Sequence, residues 1–274
     1  MNSNMVSSEC NTQQHIQIAI QKNIATLTLS NAGKRNALSK QMLIEMTQWL
    51  NDTLHDQSFK VLLIEGDNHC FSAGADLEWM HDASHQTIEQ NLADAKLFFD
   101  FYNTLNHYPK PVVVKVEKFA MGGAIGIMAC ADVVVADTQS KYAFSEVKLG
   151  LVPATIAPFV LRKTGQSAAR RLMLTAETFN VAEAQYIGLV HTVADATQLD
   201  TAVNEVITQL LNNSAEAMAS TKYMLNKLTD NQLPSNYLSD FCTQMIASAR
   251  ASADGQEGVK AFFEKRKPNW HEKQ

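Results

Sequence analysis

Residues 111–137 read PVVVKVEKFAMGGAIGIMACADVVVAD, and they divide into strand, glycine turn, buried helix and second strand. Val112 to Val116 are β-branched save for one lysine, and they follow the prolines at 109 and 111, which suits the start of a strand. Gly122-Gly123 lets the backbone turn sharply where a helix begins, and without side chains there the first N–H groups of that helix stay open to a ligand. Phe119 to Ala136 is almost continuously apolar. Asp132 interrupts it, and the composition switches from Gly/Ala/Met to Val, so a buried helix followed by a buried strand fits better than a membrane span. Taken alone, a Gly-Gly turn of this kind is also a packing device.

A second copy of the arrangement lies upstream. Val61 to Glu65, VLLIE, reads as a buried parallel strand closed by Gly66-Asp67, and the chain then runs through Ala73-Gly74-Ala75 into a helix with Asp76 in its first turn. If the two strands share a sheet, both turns aim backbone N–H groups at one point beyond the carboxyl ends of the strands, where ligands of such sheets bind. Two convergent amides form an oxyanion hole. Removing one such donor costs about 3 to 4 kcal/mol in the transition state.

Outward from this centre, His15 to Ser30 alternates polar and apolar residues about Lys22-Asn23, the pattern of a hairpin. A polar loop with Lys34 and Arg35 leads to a helix over 40–55, capped by Ser39. The spacing of Leu92, Ala95, Phe98, Phe99, Tyr102 and Leu105 predicts a long helix over 82–104, ended by Tyr108-Pro109. Residues 142–149 read as a short polar stretch, 157–163 as a helix stopped at Gly165, 167–174 and 181–188 as compact helices, and 189–193 as a terminal strand. From Leu199 the chain is helical only, with breaks at Asn212-Asn213, Leu233-Pro234 and Gly255/Gly258 before the tail VKAFFEKRKPNW. The expected divisions are a flexible N-terminus over 1–14, an α/β core over 15–198 and a helical region over 199–274.

With 274 residues, 46% of them hydrophobic, and a formal net charge of −5, the chain builds a substantial core and offers no global attraction to nucleic acid or an acidic membrane. Cys10, Cys70, Cys130 and Cys242 form no CxxC pair, which argues against a disulfide framework or thiolate zinc site and for a reducing, cytoplasmic setting. The polar N-terminus lacks the apolar run of a secretory signal. His81 and His85 stand four apart with no third ligand spaced around them, so no metal is expected. The basic residues Arg162, Lys163, Arg170 and Arg171 lack the aromatic interleaving of an RNA-binding surface.

FSAGADLEWM, VEKFAMGGAIGIMACAD and SEVKLGLVPATIAPFVLRKTGQSAARRLMLTAETFNVAEAQYIGLV resemble the diagnostic blocks of the crotonase, or enoyl-CoA hydratase/isomerase, superfamily. The resemblance is strongest to its methylglutaconyl-CoA hydratases. It implies a crotonase fold of repeated ββα units forming a spiral, a C-terminal helical trimerisation region, and assembly as a homotrimer or a dimer of trimers. It further implies an acyl-CoA thioester substrate with no separate cofactor. By the same resemblance the oxyanion donors are the N–H groups of Ala75 and Gly123, and Lys34, Ala37, Ala73, Asp76 and Leu77 border the CoA path. Phe262 and Lys265 would approach CoA from this or a neighbouring subunit.

The acid/base pattern departs from the usual hydratase. Family hydratases carry two glutamates; here Glu146, in Ser145-Glu146-Val147, matches the second, and Gly126 stands at the first, with no carboxylate at Ile125, Ile127 or Met128. Hydration needs a group to activate water and one to protonate the α carbon. Glu146 can serve both in turn if the water supplies its own proton, and the resemblance to the hydratase subfamily implies a hydratase of short or branched 2-enoyl-CoA as the expected activity. The alternative is a Δ3,Δ2-enoyl-CoA isomerase using Glu146 alone, with an RNA-binding or inactive scaffold less expected. A distal substrate carboxylate would call for a cation, for which Lys115, Lys118 and Lys148 are candidates. Trp79 and Met80 suit either the acyl pocket or simple packing.

Overall fold

The computed structural model describes residues 15–83, 85–229 and 234–271. The expected flexible N-terminus, and Leu233 of the expected Leu233-Pro234 break, lie outside the described residues. The chain opens with β1 (Ile16–Gln21) and β2 (Ile24–Leu29), joined through Lys22 and Asn23, both at positive φ. Helix α1 (Lys40–Asp52) is capped by Ser39, whose hydroxyl accepts from the Met42 N–H. After β3 (Val61–Gly66) come α2 (Leu77–Ala83) and α3 (Ile88–Asn106). Helix α2 is the one expected after the Gly74 turn, and the helix expected over 82–104 begins only at Ile88 and runs to Asn106. Thr87 and Gln90 form a reciprocal capping box that starts α3 afresh.

Next come β4 (Val112–Val116), β5 (Phe119–Met121), α4 (Gly123–Cys130), β6 (Val133–Asp137) and β7 (Lys141–Ala143). The span α5 (Ala157–Thr175) is two helical segments meeting at a kink, where Gly165 has φ +77° and ψ 159°, so the stop expected at Gly165 and the separate helix expected over 167–174 are both present. It is followed by β8 (Phe179–Asn180), α6 (Val181–Tyr186), β9 (Thr192–Ala194), α7 (Leu199–Leu211), α8 (Ala215–Thr229), α9 (Leu238–Ala251) and α10 (Ala253–Phe263). The units β4–β5–α4 and β6–β7–α5 repeat a ββα pattern.

Six strands form the main sheet in the order β1-β2-β3-β4-β6-β9, parallel from β2 onward. Its central strands are apolar on both faces because both are covered. Val112, Val114 and Val116 point into the large core, with α1, α3, α4 and α5, whereas Val61, Val113 and Val135 meet Leu199, Val203, Ile207 and Leu211 of α7. The helical region from Leu199 thus begins with a helix that belongs to the sheet's second face. Asp132 is structural: its Oδ2 accepts from the Val112 N–H at 2.7 Å and from Lys222 Nζ at 2.6 Å, tying α8 to the entrance of β4.

A second sheet, β5-β7-β8, was not legible in the sequence, and it positions the site. Strands β5 and β7 run parallel, and isolated bridges Ser72 to Ala120 and Leu38 to Ala75 extend the layer beyond β5. Three neighbouring segments therefore end at one edge. They lead respectively into Ala73-Gly74-Ala75, Gly122-Gly123 and Ser145-Glu146.

Candidate active site

The Gly74 turn lies directly against the Gly122 turn. Gly74 has φ +89°, and a Cβ placed on it would sit 2.5 Å from the Met121 carbonyl oxygen and 3.7 Å from the Gly122 nitrogen. Leu38 brackets Ala75: its N–H donates to the Gly74 carbonyl at 2.7 Å and its carbonyl accepts from the Asp76 N–H at 3.1 Å. The Ala75 N–H between them has no partner among the described residues. Neither has that of Gly123, the first residue of α4, whose N–H has no carbonyl one turn earlier to bond.

Gly122 has φ +47° and its N–H donates to the Ala143 carbonyl at 2.9 Å, which joins this turn to the end of β7. Three residues further on, Glu146 opens a 3-10 turn over Glu146–Leu149, closed by Gly150 in the left-handed conformation. Its carboxyl lies over Gly122, since a Cβ there would stand 3.1 Å from Oε1 and 3.9 Å from Oε2. Oε2 is buried without a hydrogen-bond partner, and burial raises the carboxyl pKa above 4.5. The structure therefore brings Glu146 to the two turns carrying Ala75 and Gly123.

Gly126 leaves no room for a replacement acid. A Cβ on it would sit 2.4 Å from Ile156 Cγ2 and 2.7 and 2.9 Å from Tyr102 Cε1 and Cζ. Beside Gly123 stand Leu38, Phe98 and the Tyr102 hydroxyl. Trp79 stacks on Phe98 at 4.7 Å, and its indole N–H donates to Asp94 Oδ2, whose other oxygen accepts from Lys40. Trp79 thus belongs to an anchored apolar wall.

Lys34 Nζ donates to Asp76 Oδ2 at 2.8 Å and Glu78 Oε2 at 2.6 Å, so a CoA phosphate would compete with two carboxylates for it. Asp76 sits just before α2 and its Oδ1 accepts from the Glu78 N–H, a capping role in place of the first-turn position expected. Ala37 is buried, the Ala73 N–H donates to the Arg35 carbonyl, and Leu77 is 71% exposed. Phe262 and its neighbour Phe263 are 79% and 78% exposed at the end of α10. Lys265 lies two residues beyond. The tail is anchored by Trp270, whose carbonyl accepts from Lys60 and whose indole donates to the Asn212 carbonyl, at the end of β3 opposite the one leading to Ala75. Among the described residues no hydrogen bond, ion pair or ring contact joins Phe262 or Lys265 to Glu146 or the two turns.

Other charged groups are spent elsewhere. Lys115 is held by Glu65 and Asp200, Lys118 borders a small cavity with Cys70, and Lys148 is exposed on the turn that carries Glu146. Arg171 pairs with Glu177 and Glu183, Lys163 donates to the Ala131 carbonyl, and Arg162 stacks over Phe159. Among the described residues no cluster suits a metal ion and no helix is long and apolar enough to cross a membrane. Grooves of about 690 and 770 Å3 lie along the seam with the C-terminal helices, and Ser214 and Asp254 in their lining are hydrogen-bonded to each other. Neither groove touches Ala75, Gly123 or Glu146.

Residues 19–273 match the family model described as enoyl-CoA hydratase/isomerase. The chain belongs to that family. An enoyl-CoA hydratase from Shewanella pealeana, solved by crystallography, is 39% identical with a TM-score of 0.90, over 94% of this chain and 97% of that one. Pseudomonas aeruginosa AtuE is 33% identical with a TM-score of 0.89, over 94% and 99%. The 2,3-dehydroadipyl-CoA hydratase of Escherichia coli is 26% identical over 92% of this chain and 97% of its own length. The architecture is the crotonase fold, and family membership makes the protein an enzyme of the enoyl-CoA hydratase/isomerase type acting on an acyl-CoA.

Proposed function

We propose that this enzyme hydrates a short or branched 2-enoyl-CoA to the 3-hydroxyacyl-CoA with Glu146 as its one acid/base group. The observation that carries this is the seat of the Glu146 carboxyl over Gly122, the turn that itself touches Gly74, with the Ala75 and Gly123 N–H groups left without another partner among the described residues. The thioester oxygen rests on the N–H groups of Ala75 and Gly123. Glu146 takes a proton from water as the water oxygen bonds to C3, and the π electrons pass to the thioester oxygen as an enolate held by the two amides. Glu146 then returns that proton to C2, so one molecule of water is added and the carboxylate is regenerated. Two family relatives carry hydratase in their names, and one of these is named for a dicarboxylic acyl group. A 3-methylglutaconyl-CoA substrate fits that pattern, with Lys148 the candidate cation nearest Glu146 in sequence.

A second reading, Δ3,Δ2-enoyl-CoA isomerisation, is favoured by the closure of the Gly126 position with Tyr102 and Ile156, because moving a proton from C2 to C4 needs one carboxylate and no water. A spectrophotometric panel of crotonyl-CoA, 3-methylglutaconyl-CoA and a 3-enoyl-CoA separates the two. Hydration of the first pair without isomerisation of the third is expected, and the reverse result gives the site to the isomerase. Both reactions start from ionised Glu146. Burial raises its pKa, so the acid limb of kcat/KM is expected above the ordinary glutamate range, the rate rising with pH through it. A limb at or below pH 4.5 would mean that another group titrates.

Assembly as a homotrimer or dimer of trimers, in the cytoplasm, completes the proposal. It is supported by the exposed Phe262, Phe263 and Val259 and by α8 and α9, which have no buried residue among those described.

A further inference from the structure

We propose that Tyr102 is a positioning residue that fixes the aim of the Gly123 amide by gripping α4 from α3. This rests on the site reading above. Helix α4 is eight residues long, and its N-cap, Gly122, has no side chain with which to hold the first turn. The Tyr102 hydroxyl donates to the Gly123 carbonyl at 2.8 Å, the side-chain hydrogen bond made to that turn among the described residues. At the other end of the same helix, the Cys130 thiol donates to the Tyr102 backbone carbonyl, with a sulfur to oxygen distance of 3.4 Å. One residue of α3 therefore engages the first and last residues of α4.

Its ring fills the space between. Cβ atoms at positions 123 and 126 would sit 2.8 Å from the Tyr102 hydroxyl oxygen and 2.7 Å from its Cε1, so α4 approaches the ring as closely as glycine permits. Phe98, Phe101 and Phe159 surround the ring and fix its plane. Burial first, and then the negative charge of nearby Glu146, holds the phenol pKa well above the usual tyrosine range, so the hydroxyl remains a donor at every pH at which the enzyme works. Its hydroxyl bonds the backbone of α4 and makes no hydrogen bond to the Glu146 carboxyl, so its action runs through that helix. A donor displaced by a fraction of an ångström loses much of its preference for the transition state, while a ground-state ligand held by many other contacts barely registers the change.

The test is Tyr102→Phe, which keeps the ring and removes the tether. Its kcat on the best substrate of the panel is expected to fall about tenfold to a hundredfold with KM changed less than threefold. The saturated ligand butyryl-CoA supplies a second readout, because its thioester carbonyl infrared band is shifted by the amides and it cannot react. In Tyr102→Phe that band should move back toward its position in water, with Kd unchanged. Wild-type kcat and an unmoved band would overturn the inference, as would a folded variant that loses butyryl-CoA binding altogether. Should Tyr102→Phe fail to fold, Cys130→Ala loosens α4 from its far end. A smaller movement of the same band is then expected, and no movement overturns the inference. Glu146→Gln measured alongside separates the two levels. An active Glu146→Gln protein defeats the site reading, whereas an inactive one beside a wild-type-like Tyr102→Phe defeats only the role of Tyr102.

Discussion

Glu146→Gln is expected to lower kcat by about 10^2- to 10^4-fold, or roughly 3 to 5 kcal/mol in the barrier, with the fold intact. The amide keeps the size and shape of the side chain over Gly122 but cannot accept the proton that either proposed reaction must move. Among the described residues Glu146 is the carboxylate seated over Gly122, and Gly126 is closed off by Tyr102 and Ile156. Stability should respond in the opposite sense. Burial raises the folded-state pKa of Glu146, so the native state holds its proton more tightly than the unfolded chain does. The resulting cost is absent below about pH 4.5 and grows as pH rises through the folded pKa. At neutral pH the glutamine variant should therefore melt at the same temperature as the parent or higher. Steady-state kinetics and thermal melts at two pH values check both halves, and turnover within tenfold of the parent would remove Glu146 from the mechanism.

Gly74→Ala is expected to injure both the catalyst and the fold. At φ +89° an alanine is strained by about 1 to 3 kcal/mol. Its methyl carbon would also lie 2.5 Å from the Met121 carbonyl oxygen and 3.1 Å from the carbonyl carbon. Relief requires that the Met121-Gly122 peptide retreat, and this peptide leads directly into the amide of Gly123. The two donors then separate, with a loss of about 10^2- to 10^3-fold in kcat on the scale of a removed oxyanion donor. Chemical denaturation gives the first quantity and kinetics under folded conditions the second. A stable, fully active Gly74→Ala protein would show that the turns need not touch.

Much of this arrangement could be read from residue types. The β-branched runs at 61–65, 112–116 and 133–137 announce a sheet covered on both faces, and the glycines mark where the backbone must come close to something. What they approach was not readable. Strands β5, β7 and β8 have three, three and two residues, too short to carry a periodicity, so the layer that brings Ala75, Gly123 and Glu146 to one edge left no pattern of its own. Tyr102 looked like one more apolar residue on a helix stripe with Phe98 and Phe99. The signal available was indirect, a polar hydroxyl in that stripe and a glycine at 126 in the middle of a helix with no turn to explain it. The start of α3 was legible in the capping pair Thr87 and Gln90, which the apolar spacing from Leu92 onward does not reach.

The two donors at the turns are peptide groups, and every amino acid except proline possesses one. Mutation at residues 75 and 123 can crowd or tilt this half of the apparatus, yet only proline deletes it outright. Heritable variation in what such a protein does is consequently channelled into the carboxylate and the side chains around it, so lineages can exchange one reaction for another while the cradle for the thioester persists.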